Sequence, residues 1–215
     1  MKLHLGCGQV YLNGYLNIDY PLSKHSVQHE SVADKFADIT KLCYQRNSIE
    51  EVRLHHVFEH FDRATASALI LIWRSWMKPG GLLRIEVPDF ERTIKVMFSP
   101  LTTDKRKLVG FRHIFGSQEA SWAVHYHGWS KVTLSALMQK LGFEILSVSK
   151  NNWKGTYNIE IVGKKNNLKI SKKQAGELCR QWLENFIVDE SAGERDMLSH
   201  WVKISKNQIG IGWAK

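Results

Sequence analysis

The chain of 215 residues has few cysteines, few prolines and no long apolar run. Its three cysteines, Cys7, Cys43 and Cys179, are widely separated and odd in number, which excludes a disulfide framework and leaves no zinc-site spacing. A reducing, cytoplasmic location is therefore expected. Because no apolar run could cross a bilayer, no membrane span is expected. A signal peptide is not expected either, since a candidate ligand-binding turn already begins at Gly6.

The composition is that of an ordinary soluble globular protein, with 43% hydrophobic and 24% charged residues. The length suits one domain with a substantial core. The net charge is +9, and much of the excess lies toward the C-terminus. Such a charge could attract RNA, a nucleotide-sugar or an anionic membrane face. Because no RNA-binding signature accompanies the lysines, a solvated basic surface is favoured over a nucleic-acid partner.

Strand-like segments alternate with helical patterns, which predicts an α/β fold with a mostly parallel sheet. The predicted strands are Lys2–Leu5, Tyr15–Ile18, a short one near Lys35–Ala37, Glu51–His56, Leu82–Val87, Phe143–Ser149 and Asn158–Gly163. The predicted helices are Ala64–Met77, Phe90–Met97, Lys131–Leu141 with Ser130 as N-cap, and Lys173–Val188. Residues 1–165 are expected to form one domain, and residues 166–215 a C-terminal helical extension.

A glycine turn follows the first predicted strand, and an acid follows the second. Gly6-Cys7-Gly8 would let a ligand approach the backbone, and Asp19 could accept both hydroxyls of a ribose. The dinucleotide pattern fails, because Tyr11 takes the place of its third glycine and Asp19 comes too early. There is also little room before Tyr15 for the helix that binds a pyrophosphate. S-adenosylmethionine (SAM), which has a ribose but no phosphate, is therefore favoured over NAD or FAD.

Five segments in order along the chain carry a resemblance to a known family. They are Leu3–Gly8, Asn17–Asp19, Phe36–Ile39, His55–Phe61 and Lys78–Asp89. Together they resemble the motifs of class I SAM-dependent methyltransferases (type 11-like). The short first loop is similar to that of a small bacterial subgroup often linked with surface-polysaccharide biosynthesis. The resemblance implies a Rossmann-like, seven-stranded sheet that ends in an antiparallel hairpin, with an acceptor-facing insertion at about 99–129.

The resemblance also implies a set of cofactor-binding residues. They are Gly6, Cys7, Gly8, Asp19, Asp38, Ile39, His56, Val57 and Glu59. The glycine turn would line the methionine end of SAM, Asp19 would hold the ribose, and Asp38 would lie near the adenine. Two structural alternatives stay open. Asp38 could be a turn acid before Thr40, and Glu59 could be an acid favoured by a helix dipole.

Three histidines are candidates for a catalytic base: His127, then His125 and His60. The first two lie in the segment 125–129, where this fold usually builds its acceptor site, and a neutral imidazole suits proton removal from a hydroxyl. A structural loop and a two-histidine metal site are the alternatives there. The H-x-x-E-H pattern from His56 to His60 matches a zinc-protease motif but begins in a strand, so its histidines should not share a metal. No metal is expected.

The function predicted on this basis is methyl transfer from SAM to a hydroxyl of a sugar or other small molecule, giving S-adenosylhomocysteine (SAH). Two alternatives stay open. One is an RNA methyltransferase, supported only by charge, and the other is a catalytically silent SAM-binding scaffold that uses the C-terminal extension as an interface. The extension could also form a homodimer contact.

Overall fold

A seven-stranded sheet forms the centre of the computed structural model, which describes residues 1–24 and 27–215. Its strands are β1 (Lys2–Leu5), β2 (Leu16–Asp19), β3 (Lys35–Phe36), β4 (Ile49–His55), β5 (Met77–Pro88), β6 (Phe143–Trp153) and β7 (Thr156–Lys165). Their order across the sheet is β3-β2-β1-β4-β5-β7-β6. The first five strands are parallel, whereas β7 is antiparallel to both of its neighbours. The predicted mostly parallel sheet with a terminal hairpin is therefore confirmed.

Helices flank this sheet along the described chain. They are α1 (Arg63–Trp76), α2 (Phe90–Met97), α3 (Asp104–Phe115), α4 (Lys131–Lys140), α5 (Lys172–Leu183) and α6 (Ala192–Gly212). Side chains cap their first turns, as the sequence predicts for α4: Ser130 Oγ accepts a hydrogen bond from the Thr133 amide at 3.2 Å. The hydroxyls of Ser171 and Ser191 cap α5 and α6 in the same way.

The first and last residues predicted for β1 and α2 agree with the structure, because the residues of these short elements suffice to define them. The strand predicted at Leu82–Val87 is longer, because Met77 already pairs with Ile49 of β4 and the turn of Pro79 and Gly80 lies within the strand's span. The helix predicted over Lys173–Val188 ends at Leu183 and continues only as a short 3₁₀ turn. Helix α3 is not predicted from the sequence, and α6 is predicted only in general terms, as part of the helical extension at 166–215. In α3 several apolar side chains face solvent, so its residues give no one-sided pattern.

Helix α1 anchors the C-terminal helices to the sheet. Trp73 and Trp76 are fully buried on it, and Trp76 Nε1 donates to the carbonyl of Gly212 at the end of α6 at 2.8 Å. A Cβ at Gly212 would lie 2.8 Å from a methyl group of Ile72, so the close approach of α6 depends on glycine. The segment after β7 therefore packs on the same core. Among the described residues, no helix has both the length and the apolarity to cross a membrane.

Candidate functional site

A cleft of about 650 Å³ opens at the carboxyl ends of β1, β2 and β4. We call it the strand-end cleft. Of the residues predicted for the site, those that line it are Gly6, Cys7, Gly8, Asp19, Asp38, Ile39, His56, Val57 and His60. Its volume is in the range of small-molecule sites, and strand ends next to a reversal of strand order are where α/β sheets bind ligands.

The glycine turn after β1 forms one wall of the strand-end cleft. Gly6 and Gly8 have φ values of +70° and +55°, which glycine adopts without strain. The amides of Gly6 and Cys7 both donate to the carbonyl of Ile18, so β2 holds the turn in place. A Cβ at Gly6 would lie 2.2 Å from a methyl group of Val57, whereas a Cβ at Gly8 would meet nothing closer than Gln28 Oε1 at 4.0 Å. The turn therefore combines tight packing on one side with exposed backbone on the other.

Asp19 is the last residue of β2, and only 5% of its surface is exposed. One carboxylate oxygen accepts from the Tyr20 amide at 2.8 Å, and the other accepts from Gln28 Nε2 at 3.3 Å. The second bond is long, so this oxygen keeps most of its capacity to accept from another donor. A half-satisfied carboxylate at the wall of a cleft suits a ligand with hydroxyl groups.

Asp38 and Ile39 line the strand-end cleft beyond β3. Asp38 also caps the short turn that follows, because its Oδ1 accepts from the Thr40 amide at 2.9 Å and from the Thr40 hydroxyl at 2.6 Å. Its Oδ2 lies 3.4 Å from Lys41 Nζ. The structural role that the sequence left open is therefore present, and it is compatible with a place beside a ligand.

Cys7 lies between the two glycines with its thiol packed into the turn. Only 3% of Cys7 is exposed. Burial, together with the nearby charge of Asp19, raises the pKa of its thiol to about 11. A neutral, buried thiol is a poor nucleophile, so Cys7 contributes packing and backbone rather than reactivity.

His56 follows β4 in a left-handed backbone conformation, with φ of +53°. Its Nδ1 lies 3.4 Å from Glu59 Oε1, and its Nε2 lies 3.4 Å from Glu86 Oε1. Burial disfavours the charged ring, but these two carboxylates raise the pKa of His56 to about 9. His56 therefore carries a positive charge at the floor of the cleft. A strained non-glycine residue in such a position is a frequent feature of binding sites.

Glu59 does not line the strand-end cleft, although the sequence suggested a place beside the cofactor. Its side chain is 1% exposed and lies beneath the cleft, among His56, His60 and His125. Burial opposes its ionisation, but the neighbouring histidines, His56 above all, hold its pKa below the ordinary value. The carboxylate is therefore a buried negative charge next to the cleft.

His60 and His125 meet next to this carboxylate. Their ring centroids are 4.7 Å apart, and His60 also lines the strand-end cleft. His60 Nδ1 lies 3.1 Å from the Val124 carbonyl, and His125 Nδ1 lies 3.1 Å from the His113 carbonyl. A carbonyl only accepts, so each Nδ1 donates and, in the neutral ring, each Nε2 keeps a lone pair. Burial lowers the pKa of His125, which favours that neutral ring.

His127, the first candidate for a base, lies elsewhere. It lines a separate cavity of about 10 Å³, which is the size of a single water. The centroid of its ring lies 4.1 Å from the ring centroid of Trp129 and 5.7 Å from that of Phe186. Burial and the charge of Arg63 lower its pKa to about 4. Of the three candidate bases, His60 thus lines the strand-end cleft and His127 does not. His125 lies between them, because its ring contacts that of His60 and it also lines the small cavity of His127.

Sequence reasoning missed Gln28, which reaches Asp19 from the loop before β3, and Glu119, which lines the cleft. Trp122 also lines the cleft and belongs, like Glu119, to the 99–129 segment that the resemblance places beside the acceptor. Trp122 Nε1 donates to the Lys24 carbonyl at 2.7 Å and so joins this segment to the loop after β2. A polar loop residue such as Gln28 carries no periodic signal, and its place could be found only from the fold.

Comparison with known proteins gives a likeness in structure only. No family model and no curated protein sequence matches the chain. A chain of a Haloferax volcanii complex that contains the Trm112 methyltransferase activator is similar with a TM-score of 0.54 at 12% identity, covering 79% of this chain and 83% of that one. A SAM-dependent methyltransferase from Mesorhizobium loti has a TM-score of 0.51 at 13% identity, with 76% and 90% covered.

A third similar structure is magnesium protoporphyrin IX methyltransferase from Synechocystis with bound SAH. Its TM-score is 0.50 at 15% identity, with 77% of this chain and 74% of that one covered. At these identities the likeness establishes the fold. The chain has the Rossmann-like fold of class I SAM-dependent methyltransferases, as the motifs predicted.

Proposed function

We propose that this protein transfers a methyl group from SAM to a hydroxyl oxygen of a small molecule or sugar. The observation that carries the proposal is the buried Asp19 carboxylate, which faces the strand-end cleft beside the open glycine turn. A ribose presents two hydroxyls that such a carboxylate can accept. The cofactor-binding enzymes among the similar folds lend support to the same assignment.

The lining of the cleft fits SAM better than a dinucleotide. None of the described lining residues is a lysine or an arginine. The chain between β1 and β2 forms turns rather than a helix, so no helix N-terminus is available there to hold a pyrophosphate. Ile39 and Val57 offer apolar contacts in the cleft, and Asp38 offers a carboxylate oxygen to the same cleft. These groups suit an adenine ring and its amino group.

A bound SAM would supply a methyl group on a positively charged sulfur. The acceptor oxygen would form a bond to the methyl carbon as the carbon–sulfur bond breaks and its electron pair stays on sulfur, giving SAH. The hydroxyl proton must leave in the same reaction. Among the three predicted bases, His60 is best placed to take it, because it lines the cleft and its Nε2 keeps a lone pair. His125 lies behind it.

The acceptor is proposed on chemical grounds. A hydroxyl needs a partner for its proton, and the histidines beside the cleft provide one. The narrower choice of a sugar in surface-polysaccharide biosynthesis rests on the subgroup resemblance. Three free thiols support a cytoplasmic setting for this reaction.

Binding of SAH, measured by isothermal titration calorimetry, tests the cofactor site before any acceptor is known. The informative variant is Asp19→Asn, which keeps the shape of the side chain and removes its charge. A hydrogen bond to a charged group contributes about 1.5–3 kcal/mol, so we expect SAH affinity to fall about 10- to 100-fold. Asp196→Asn is the matched control, because Asp196 is an exposed acid on α6. It should bind SAH like the unchanged protein.

Two results would oppose the proposal. If the unchanged protein binds NAD but not SAH, the cofactor is wrong. If Asp19→Asn and Asp196→Asn weaken binding equally, the strand-end cleft is not the site. Release of SAH with a panel of sugars and small hydroxyl compounds then tests turnover. RNA binding that weakens steeply with salt, together with turnover on RNA alone, would replace the proposed acceptor with the nucleic-acid alternative.

A further inference from the structure

Three metal-ligating side chains meet beneath the strand-end cleft. One carboxylate oxygen of Glu59 and one ring nitrogen each of His60 and His125 lie within 4.8 Å of one another. His125 Nε2 is 3.9 Å from Glu59 Oε1, which is too long for a hydrogen bond. Ligands at about 2.0–2.2 Å from one ion are separated by distances of this order. The three groups could therefore share an ion with small adjustments of their side chains.

The hydrogen bonds of the two histidines prepare them as ligands. Each donates its Nδ1–H to a backbone carbonyl, His60 to Val124 and His125 to His113. Each Nε2 is then a lone-pair donor toward its surroundings. Metal-binding histidines are usually oriented in this way, with the second nitrogen held by a carbonyl or a carboxylate. Neither histidine can offer an N–H from Nε2 to Glu59 in this tautomer.

The Glu59 carboxylate is an independent observation that points to a ligand. It is 99% buried, and neither of its oxygens has a hydrogen-bond partner with acceptable geometry. Its nearest cation is the His56 ring at 3.4 Å, which also faces Glu86. One imidazolium shared between two carboxylates balances Glu59 only in part, and a buried carboxylate without hydrogen bonds is costly. A bound cation would supply the rest of the balance.

A second group with suitable atoms lies on the sheet, formed by His55, Glu86 and Glu160. Its carboxylates already have partners. Glu160 pairs with Arg84 at 2.9 Å, and Glu86 accepts from His55 at 2.9 Å and from Asn151 at 2.9 Å. This group is therefore satisfied by protein groups, which sets the Glu59 group apart.

We infer that Glu59, His60 and His125 form a binding site for a divalent transition metal, with Zn²⁺ as the representative ion. Two imidazoles and one carboxylate are a common ligand set for catalytic zinc, and three protein ligands leave a position open. His60 lines the strand-end cleft, so the open position can be reached from there. The site differs from the H-x-x-E-H pattern in the sequence, because His56 is replaced as a ligand by the distant His125.

The inference rests on the proposed function and deepens it by adding an acceptor-binding role. An acceptor hydroxyl that binds the ion at its open position would lose its proton to water more easily. A histidine that binds the metal through its free lone pair cannot also accept the proton, so the ion would replace His60 as the group that promotes proton loss. The acceptor class favoured by such a site is one with an oxygen that can coordinate, such as a sugar hydroxyl.

Metal binding by the full-length protein provides the test. The protein is freed of metal with a chelator, and Zn²⁺ is then titrated in competition with a chelating dye. Co²⁺ is added in parallel, because its visible absorption reports the number and type of its ligands. We expect one tightly held ion per chain. Glu59→Gln and His125→Asn should each weaken Zn²⁺ binding by about 100-fold. Loss of a group that only hydrogen-bonds to a metal ligand weakens binding by about 10- to 100-fold, so loss of a ligand itself should reach at least the upper end of that range.

His200→Asn is the matched control, because His200 is exposed on α6. It should leave Zn²⁺ affinity unchanged. SAH binding is measured for every variant, so that a loss of metal in a protein that still binds SAH cannot be a loss of folding. The Co²⁺ spectrum of the unchanged protein is a second test that needs no variant.

Absence of a stoichiometric ion in the unchanged protein would overturn the inference. So would Zn²⁺ binding that falls only in His200→Asn, which would identify adventitious binding to surface histidines. The two proposals can fail separately. If the protein binds Zn²⁺ through Glu59 and His125 but does not bind SAH, the metal site stands and the methyltransferase assignment fails. If it binds SAH but no Zn²⁺, the methyltransferase assignment stands and the metal site fails.

Discussion

The two walls of the strand-end cleft are built in different ways. The wall at Gly6–Asp19 comes from neighbouring stretches of sequence and is held by backbone hydrogen bonds between β1 and β2. The opposite wall brings His60 to Val124, which is 64 residues away in the chain, and Glu59 contacts Tyr126 through its backbone carbonyl at 2.9 Å. The first wall is part of the sheet. The second depends on how one loop packs against another.

This difference predicts that the first wall supports the fold and the cofactor, whereas the second wall selects the acceptor. A wall made by the sheet changes only at a cost to the whole fold, because its groups belong to the buried core. A wall made by loops can be altered locally, since a loop can rearrange while the sheet remains intact. Changes in the first wall should therefore affect folding and SAH binding together. Changes in the second should affect the metal site and the acceptor, and should alter SAH binding only where this wall contacts the rest of the cleft.

The largest effect is expected from Gly6→Ala. The new Cβ would meet Val57 at 2.2 Å in a backbone conformation with positive φ, so strain and overpacking add. We expect a loss of about 3 kcal/mol in the free energy of unfolding, together with much weaker SAH binding. Denaturant unfolding and calorimetry measure the two effects. Gly14→Ala is the control, because Gly14 has a similar φ of +80° and nothing within 4 Å, so it should lose only about 1 kcal/mol. Equal losses in both variants would contradict the packing argument.

A smaller loss of stability is expected from Gly116→Ala, at the base of the second wall. Gly116 has a φ of +86°, and a Cβ there would lie 2.2 Å from the Ala123 carbonyl oxygen. The loop can open locally, so the free energy of unfolding should fall by about 2 kcal/mol rather than more. Zn²⁺ affinity should fall, because Val124 and His125 follow directly, whereas SAH affinity should change little. A loss of SAH binding equal to the loss of Zn²⁺ binding would show that the walls are not independent.

Trp122→Phe should loosen the contact between the two walls. It removes the hydrogen bond from Trp122 Nε1 to the Lys24 carbonyl and keeps an aromatic ring in the cleft. A bond of this kind contributes about 0.5–1.5 kcal/mol, so SAH affinity should fall about 3- to 10-fold by calorimetry. Trp153→Phe serves as control, because Trp153 is 63% exposed at the end of β6 and outside the cleft. If both substitutions have the same effect, the contact with Lys24 does not support binding.

Cys7→Ala is expected to have the smallest effect. The thiol is buried and neutral, with its pKa raised to about 11, and the turn presents its backbone to the cleft. SAH affinity should change by no more than about twofold, a difference below about 0.5 kcal/mol. Calorimetry under the conditions used for Gly6→Ala provides the comparison. A large loss would mean that the side chain, rather than the backbone, of this position contacts the ligand.

Sequence alone determined the first wall almost completely. The strands β1 and β2, the glycine turn between them and Asp19 at the strand end are local features, and alternation of apolar residues reports burial over a few neighbours. The helix N-cap at Ser130 was predictable for the same reason, whereas the terminal hairpin followed from the family resemblance. Even here, Gln28 beside Asp19 could not be predicted, because no periodic pattern marks a loop residue that folds back.

The tertiary structure decided the second wall. The sequence contains three candidate histidines, two of them in the segment 125–129, but nothing in their spacing shows that His125 meets His60 while His127 packs against Trp129 and Phe186. It also gives no sign that Glu59 lies buried without a hydrogen bond. The physical reason is that periodicity records which side of a local element is buried, whereas contacts between distant loops depend on how whole elements pack. The family resemblance was enough to predict the fold. Which histidines lie together could be seen only in the tertiary structure.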